Sequence, residues 1–279
     1  LYLFMLFIVN SASGYSNASL TPDSIIIDSK FISDQINQST IVYHTSEKLS
    51  VDDAWVAINE GKIEKSSDLV NQAVKYPGHN FWIVFTVSNQ LLNINEFKLE
   101  IKSAKLNLAH LYEYNQGLFE KTHSIGTDFP FNERPVNFRN LTFPMTIDSG
   151  ESKLFLINVI KDNGPLSFPL FLHTKNSFNS RIVKDSISHT IFFSILMLIA
   201  TISIAVSIFL IRNTIFAYYA IYVFTISLSI FTTLGYTYQL LIPGEPELIR
   251  HVSAFSSTLA TIFFILYVND LFDAKKYFN

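Results

Sequence analysis

The sequence contains no cysteine, which excludes disulfide bonds, thiolate metal sites and a cysteine nucleophile. A folded domain must therefore be stable through its hydrophobic core alone, which a segment of well over about 100 residues can supply. The chain also lacks a stripe of basic residues, and its formal net charge is only -3. Nucleic acid is therefore not an expected partner.

The residue spacings typical of common catalytic, metal-binding and phosphate-binding motifs are absent from the sequence as well. The sequence has no pair of zinc-binding histidines on a helix, no nucleophile elbow, no phosphate-binding loop and no acidic calcium loop. Its 7 histidines are dispersed, and dispersed histidines are more often surface or packing residues than ligands. We therefore expect no enzyme within this chain, no cofactor and no metal.

Charged residues are missing from long apolar runs in the last third of the chain. About 20 helical residues, each rising about 1.5 Å, cross a hydrocarbon core about 30 Å thick. The lack of Asp, Glu, Lys and Arg inside the runs argues against a transport pathway through them. We predict a membrane domain at 187–279 with three helices, at about 189–211, 215–241 and 252–270.

The first 14 residues have the pattern of a signal peptide without its basic region, because an apolar run at 1–9 is followed by small residues at 10–14. The alternative is a buried N-terminal strand. Export would place the following domain outside the membrane, and the basic residues Arg212, Lys275 and Lys276 would then lie in the cytosol, as the positive-inside rule requires. We expect a fragment at both ends, from which a cytoplasmic output domain is missing.

The segment 24–176 alternates apolar and polar residues over short stretches separated by turns, which predicts half-buried strands. Helices of crossover length are missing between most of them, so the sheets should be antiparallel. The expected fold is an all-β jelly-roll-like sandwich, followed by an α-helical transmembrane bundle. The least strand-like part, 51–65, is expected to hold a short helix capped by Asp52 or Asp53. The clearest predicted strands are 81–89, 97–103, 106–114, 141–147, 153–160 and 168–174.

A candidate ligand site combines charged and aromatic residues in one loop between strands. Arginine forks bind carboxylates and sugar hydroxyls, and aromatic faces stack on sugar rings. The alternative is a structural loop in which Arg134 pairs with Asp128 and Phe131 fills the end of the sandwich. Trp55, in the least regular segment, is a further candidate. The predicted ligand-binding residues are Asp128, Arg134, Phe138, Arg139 and Trp55.

Three stretches of the outer domain are distinctive: GTDFPFNERPVNFRNLTFPMTI at 126–147, NFWIVFTVSN at 80–89 and GPLSFPLFL at 164–172. In these stretches the outer domain resembles that of a known family, the bacterial seven-transmembrane receptors with diverse intracellular signalling modules. The membrane part resembles the family at three further places. RNTIFAYYAIYVF matches the first turn, GYTYQLLIP the exit of the second helix, and VNDLFDAKKYFN the exit of the third helix. The first helix departs from the family pattern, because it lacks the glycine, tyrosine and asparagine expected along it.

The resemblance implies an outer jelly roll related to carbohydrate-binding modules, seven helices, and an output such as a histidine kinase, diguanylate cyclase or phosphatase. We therefore expect a sensory receptor in the bacterial inner membrane, with its N-terminal domain periplasmic or extracellular. Its expected partners are a small-molecule ligand of the carbohydrate or carboxylate class, the lipid bilayer, and a second copy of the chain in a homodimer. The alternative is a membrane-anchored binding or transport-associated protein without a signalling output.

Overall fold

A computed structural model describes residues 24–66, 79–104, 106–160, 169–210 and 213–272. The expected signal peptide, Arg212, Lys275 and Lys276 lie outside the described residues. Within them, a β-sandwich precedes three long apolar helices, so the predicted fold class is confirmed.

Sheet 1 has the strand order β4-β3-β5-β10-β7-β8. A seventh strand, β1, is not part of this order and pairs in parallel with β5. All other pairings in the sheet are antiparallel, as the sequence predicts. Its strands are β1 (Ile25–Ile27), β3 (Ile41–Thr45), β4 (Glu64–Ser66), β5 (Asn80–Asn89), β7 (Leu108–Asn115), β8 (Leu118–Ile125) and β10 (Ser152–Ile160).

Sheet 2 is entirely antiparallel among the described residues, with the order β2-β11-β6-β9. Its strands are β2 (Ser33–Gln35), β6 (Glu96–Ile101), β9 (Leu141–Thr146) and β11 (Leu170–Thr174).

The core lies between the two sheets, where alternate side chains of facing strands meet. Phe85 of β5 is fully buried there and stacks on Phe155 of β10, with ring centroids 5.5 Å apart. On the opposite face of sheet 1, Trp82 and Val84 pack beneath helix α1 (Val51–Asn59). Because both faces of β5 are covered, its sequence is almost continuously apolar.

The predicted short helix is present as α1, but its predicted cap is wrong. Ser50 is the capping residue, and its hydroxyl oxygen accepts a hydrogen bond from the backbone N–H of Asp53 at 3.2 Å. Asp52 and Asp53 instead occupy the first turn, where a carboxylate interacts favourably with the helix dipole.

Three helices among the described residues are long and apolar enough to cross a membrane. Helix α2 (Lys175–Ala205) continues into a π-helical turn at Val206–Leu210. Helix α3 (Thr214–Thr233) is followed by Gly235 and a second π-helical turn at Thr237–Leu241. Helix α4 (Pro246–Leu271) begins with a proline in its first turn, where the missing N–H costs no hydrogen bond.

Helix α2 runs along the outer face of sheet 2 before it reaches its apolar part. Lys175 Nζ lies 2.7 Å from Glu96 at the start of β6, and Arg181 Nη1 lies 2.7 Å from Glu100 near its end. The helix therefore runs parallel to β6 and towards the membrane. This direction defines a membrane-distal end of the sandwich at Glu96 and a membrane-proximal end beyond Ile101.

Candidate functional site at the membrane junction

The loop at 126–140, called here the arginine loop, connects the membrane-proximal end of the sandwich to helix α3. Its first residues are held against the sheet, because Thr127 N–H donates to the Leu106 carbonyl at 2.8 Å. Gly126 is required there, since a Cβ atom would lie 2.0 Å from the Asn107 carbonyl oxygen. The loop then projects beyond the sandwich through a short 3₁₀ turn at Phe131–Glu133.

Arg134 is the centre of the loop's contact with the π-helical turn that follows helix α3. Its guanidinium carbon lies 4.8 Å from the centroid of the Phe131 ring and 5.0 Å from that of Tyr238. Its Nη1 donates to the backbone carbonyls of Phe138 at 3.3 Å and Arg139 at 3.0 Å. Burial lowers the pKa of Arg134 to about 10, so the guanidinium remains charged at neutral pH. Ring faces and carbonyls stabilise this charge, each ring contributing up to about 2 kcal/mol when water is excluded.

Arg139 connects the loop to two membrane helices at once. Its Nη2 donates to Asp185 Oδ2 of α2 at 3.1 Å, and its Nη1 donates to the Leu234 carbonyl after α3 at 3.3 Å. Its guanidinium carbon also lies 5.3 Å from the centroid of the Tyr236 ring. Since all three partners belong to the membrane domain, Arg139 fixes the sandwich relative to both helices.

The chain after α3 has a backbone shaped for this contact. Gly235 has φ +86, and a Cβ atom there would lie 2.8 Å from Ala104 Cβ and 3.3 Å from the Arg139 carbonyl oxygen. In the π-helical turn that follows, the Tyr238 hydroxyl donates to the Phe129 carbonyl. The Phe131 N–H donates to the Pro243 carbonyl at 2.7 Å. The loop and the helix exit therefore interlock through both backbone and side chains.

A buried polar cluster holds helix α2 against sheet 2. Glu100 is 0% exposed, and its Oε1 accepts from Asn140 Nδ2 at 2.6 Å. Its Oε2 lies 2.7 Å from Arg181 Nη1 and 3.1 Å from His173 Nε2. Further along, His189 Nδ1 of α2 lies 2.8 Å from the Tyr236 hydroxyl. Burial alone would raise the pKa of Glu100, but the hydrogen bonds from His173 and Asn140 and the charge of Arg181 outweigh it, so this pKa is lowered.

The lowered pKa of Glu100 predicts an acid-dependent loss of stability. The contribution of Glu100 is fully present above its ordinary pKa of 4.5 and is lost as the pH falls through the lower pKa of the folded state. We expect the difference in melting temperature between the wild type and Glu100→Gln to narrow below about pH 4.5. Glu96→Gln, which alters an exposed pair, should stay near the wild type from pH 7 to 3. If the melting-temperature difference between the wild type and Glu100→Gln stayed constant from pH 7 to 3, the lowered pKa of Glu100 would be contradicted.

The predicted ligand residues occupy two places in the structure. Arg134, Phe138 and Arg139 are buried at the junction, where Phe138 packs edge-on against Phe178 of α2 with centroids 5.4 Å apart. A ligand that used these guanidinium groups would have to displace protein rings from them. Asp128 is exposed and accepts from Asn107 Nδ2 at 3.3 Å. No ion pair joins it to Arg134 in the described part of the chain, where the Arg134 guanidinium contacts ring faces and carbonyls instead, so the alternative pairing is wrong. Their role in ligand binding stays a prediction.

Trp55 lies far from the arginine loop, on helix α1. It packs edge-on against Phe119 of β8, with ring centroids 5.1 Å apart, and remains half-buried. Phe131 is buried, as expected, but against Tyr238 rather than inside the sandwich. No group of three or more His, Cys, Asp or Glu in the described ranges could hold a metal ion.

The structure defines a class of protein: a folded β-sandwich interlocked with apolar helices, and thus a multi-pass membrane protein with a domain on one side of the bilayer. Two family models match it. The one described as 7TMR-DISM extracellular 2 matches residues 37–174, and the one described as 7TM diverse intracellular signalling matches 185–279. The chain belongs to this family of seven-transmembrane receptors, and its sandwich is the extracellular domain. These are receptor domains rather than catalytic ones.

Solved structures share only a distant likeness with the chain. A β-glucosidase from Kluyveromyces marxianus in complex with glucose is 13% identical, with 55% of this chain and 17% of that chain covered and a TM-score of 0.29. A β-glucuronidase from Ruminococcus gnavus is 8% identical, with 55% and 30% covered and a TM-score of 0.29. The chain spans less than a third of either enzyme, and at these TM-scores the likeness carries no argument. No curated protein matches the chain.

Proposed function

We propose that the extracellular sandwich binds a small ligand and that the arginine loop transmits binding to the membrane helices. In the whole receptor, the helices would change the activity of a cytoplasmic output domain at the bacterial inner membrane. The observation that carries the proposal is the double attachment of Arg139, to Asp185 on α2 and to the Leu234 carbonyl after α3. A movement of the loop must move both helices or break these contacts.

The contacts at Arg134 support a junction with two arrangements. A buried charge held by ring faces and carbonyls is less firmly fixed than one paired with a carboxylate, because much of its hydration is lost without a full counter-charge. A ligand shifts such an equilibrium by as much as it binds one arrangement more tightly than the other. The junction therefore needs only a modest difference in ligand affinity to respond.

Paired nitroxide labels test transmission through the loop. Because the chain has no cysteine, a double variant with Asn137→Cys and Leu240→Cys carries labels at these two positions alone. Both positions are exposed, and they lie on either side of the contact between the arginine loop and the exit of α3. In nanodiscs, a compound from a sugar and organic-acid panel that raises the melting temperature should also change the dipolar coupling between the labels. A compound that binds tightly and leaves this coupling unchanged would contradict transmission through the arginine loop.

The coding sequence after the membrane domain tests the proposed output. A kinase, cyclase or phosphatase domain after four more helices would support signalling by this polypeptide. A stop codon soon after the seventh helix would favour the anchored binding protein or a receptor that signals through a partner.

A further inference from the structure

A cleft of about 290 Å³ opens at the membrane-distal end of the sandwich, between the loop joining β5 to β6 and the turn joining β9 to β10. This volume lies just below the range of roughly 300–1,000 Å³ typical of small-molecule sites, which suits a small ligand. We propose that the cleft is the ligand site of the receptor and binds a small uncharged polyol. The inference rests on the proposed function. The cleft is lined by Leu92, Asn93, Ile94, Asn95, Asp148 and Ser149.

The two loops of the cleft are held together by one buried side chain. Asn89 is fully buried, and its Nδ2 donates to the carbonyls of Ile94 and Ile147, both at 2.8 Å. Its Oδ1 accepts from the Leu91 N–H at 3.0 Å. The Ile147 N–H also donates to the Asn95 carbonyl at 3.0 Å. The cleft is therefore largely formed before a ligand binds, which lowers the entropic cost of binding.

The lining residues define the chemistry of the ligand. The amides of Asn93 and Asn95 can both donate and accept hydrogen bonds, and the Asp148 carboxylate and Ser149 hydroxyl add acceptors that suit hydroxyl groups. Leu92, 85% exposed, can cover the C–H face of such a molecule. The lining contains no Lys or Arg, so an anionic ligand would face Asp148 without a compensating positive charge.

The cleft lies next to the beginning of helix α2. Asn95 of the lining precedes Glu96, and Glu96 pairs with Lys175, the first residue of the helix, at 2.7 Å. Ligand contacts at Asn95 therefore act on the outer end of a helix that continues into the membrane. This connection gives a site at the distal end a physical route to the junction.

Thermal unfolding of the whole chain in nanodiscs tests the site. The only two tryptophans, Trp55 and Trp82, both lie in the sandwich, so their fluorescence reports its unfolding directly. Sorbitol, myo-inositol and glucose are the polyol probes, putrescine the amine and succinate the carboxylate. We expect at least one polyol to raise the melting temperature of the wild type by roughly 5 °C at about 100 times its Kd. The shift should saturate, whereas general stabilisation by excluded polyols does not.

The matched variants are Asn93→Ala with Asn95→Ala in the cleft, and Asn59→Ala, an exposed asparagine at the end of α1. We expect the double variant to lose the shift and Asn59→Ala to keep it. An equal shift in the double variant would place the ligand elsewhere and overturn the inference, while the proposed function would stand. A shift with putrescine or succinate and none with a polyol would overturn the ligand class. The absence of a saturable melting-temperature shift with all three polyols would also overturn the inference.

Discussion

Glu100→Ala is expected to reduce the free energy of unfolding of the sandwich by about 3–5 kcal/mol, the usual cost of removing one member of a buried ion pair. The carboxylate is 0% exposed, and its loss would leave His173, Arg181 and Asn140 without their shared acceptor. Denaturant unfolding of the chain in nanodiscs, followed by tryptophan fluorescence, measures the change.

Glu96→Ala is the control for Glu100→Ala. Glu96 lies on the same strand and also pairs with helix α2, but its side chain is 52% exposed. An exposed pair typically contributes less than about 1 kcal/mol, so the control should remain close to the wild type. Equal losses in the two variants would show that the buried cluster contributes no more than an exposed pair.

Gly235→Ala is expected to cost about 2–4 kcal/mol and to separate the arginine loop from the exit of α3. The backbone at Gly235 has φ +86, which L-residues rarely adopt, and the added methyl group would overlap Ala104. With labels at positions 137 and 240, the variant should show weaker dipolar coupling without any ligand.

Gly244→Ala is the control for the junction variant. Gly244 lies beyond the π-helical turn, has no positive φ, and has nothing within 4 Å of an added Cβ atom. The Gly244→Ala variant should keep the wild-type dipolar coupling between the labels at positions 137 and 240. If Gly235→Ala also kept this coupling, the close packing of Gly235 on Ala104 and Arg139 would not be needed to hold the arginine loop against the exit of α3.

Much of the fold could be predicted because burial repeats along the chain. In β7, buried side chains alternate with partly exposed ones from Leu108 to Leu111, and period-2 alternation of this kind is visible in a single sequence. The short strands β1, β2 and β4 were not among the clearest predictions. Strands of three residues are too short for a pattern, and pairing with distant strands stabilises them instead.

The junction could be predicted only in part. The arginine loop was recognised from its charged and aromatic residues, but its partners lie about 100 positions away, and Tyr236 and Tyr238 resemble ordinary interfacial tyrosines. Glu100 lies at an outward-facing position of β6, where sequence alone predicts a solvated carboxylate. Its burial depends on helix α2, whose Arg181 pairs with it from 81 residues further along the chain.

Helix α2 has the shape of a lever with a pivot. It is one uninterrupted rod of 31 residues, and His189 contacts Tyr236 about halfway along it. The arm from His189 to Ala205 is about 24 Å long at about 1.5 Å per residue. The outer arm, from Lys175 to His189, is about 21 Å long on the same basis. A tilt of about 5° around the pivot would therefore move each end of the rod by about 2 Å. A displacement at Lys175 is thus passed on at nearly its full size to the membrane-embedded part of the helix.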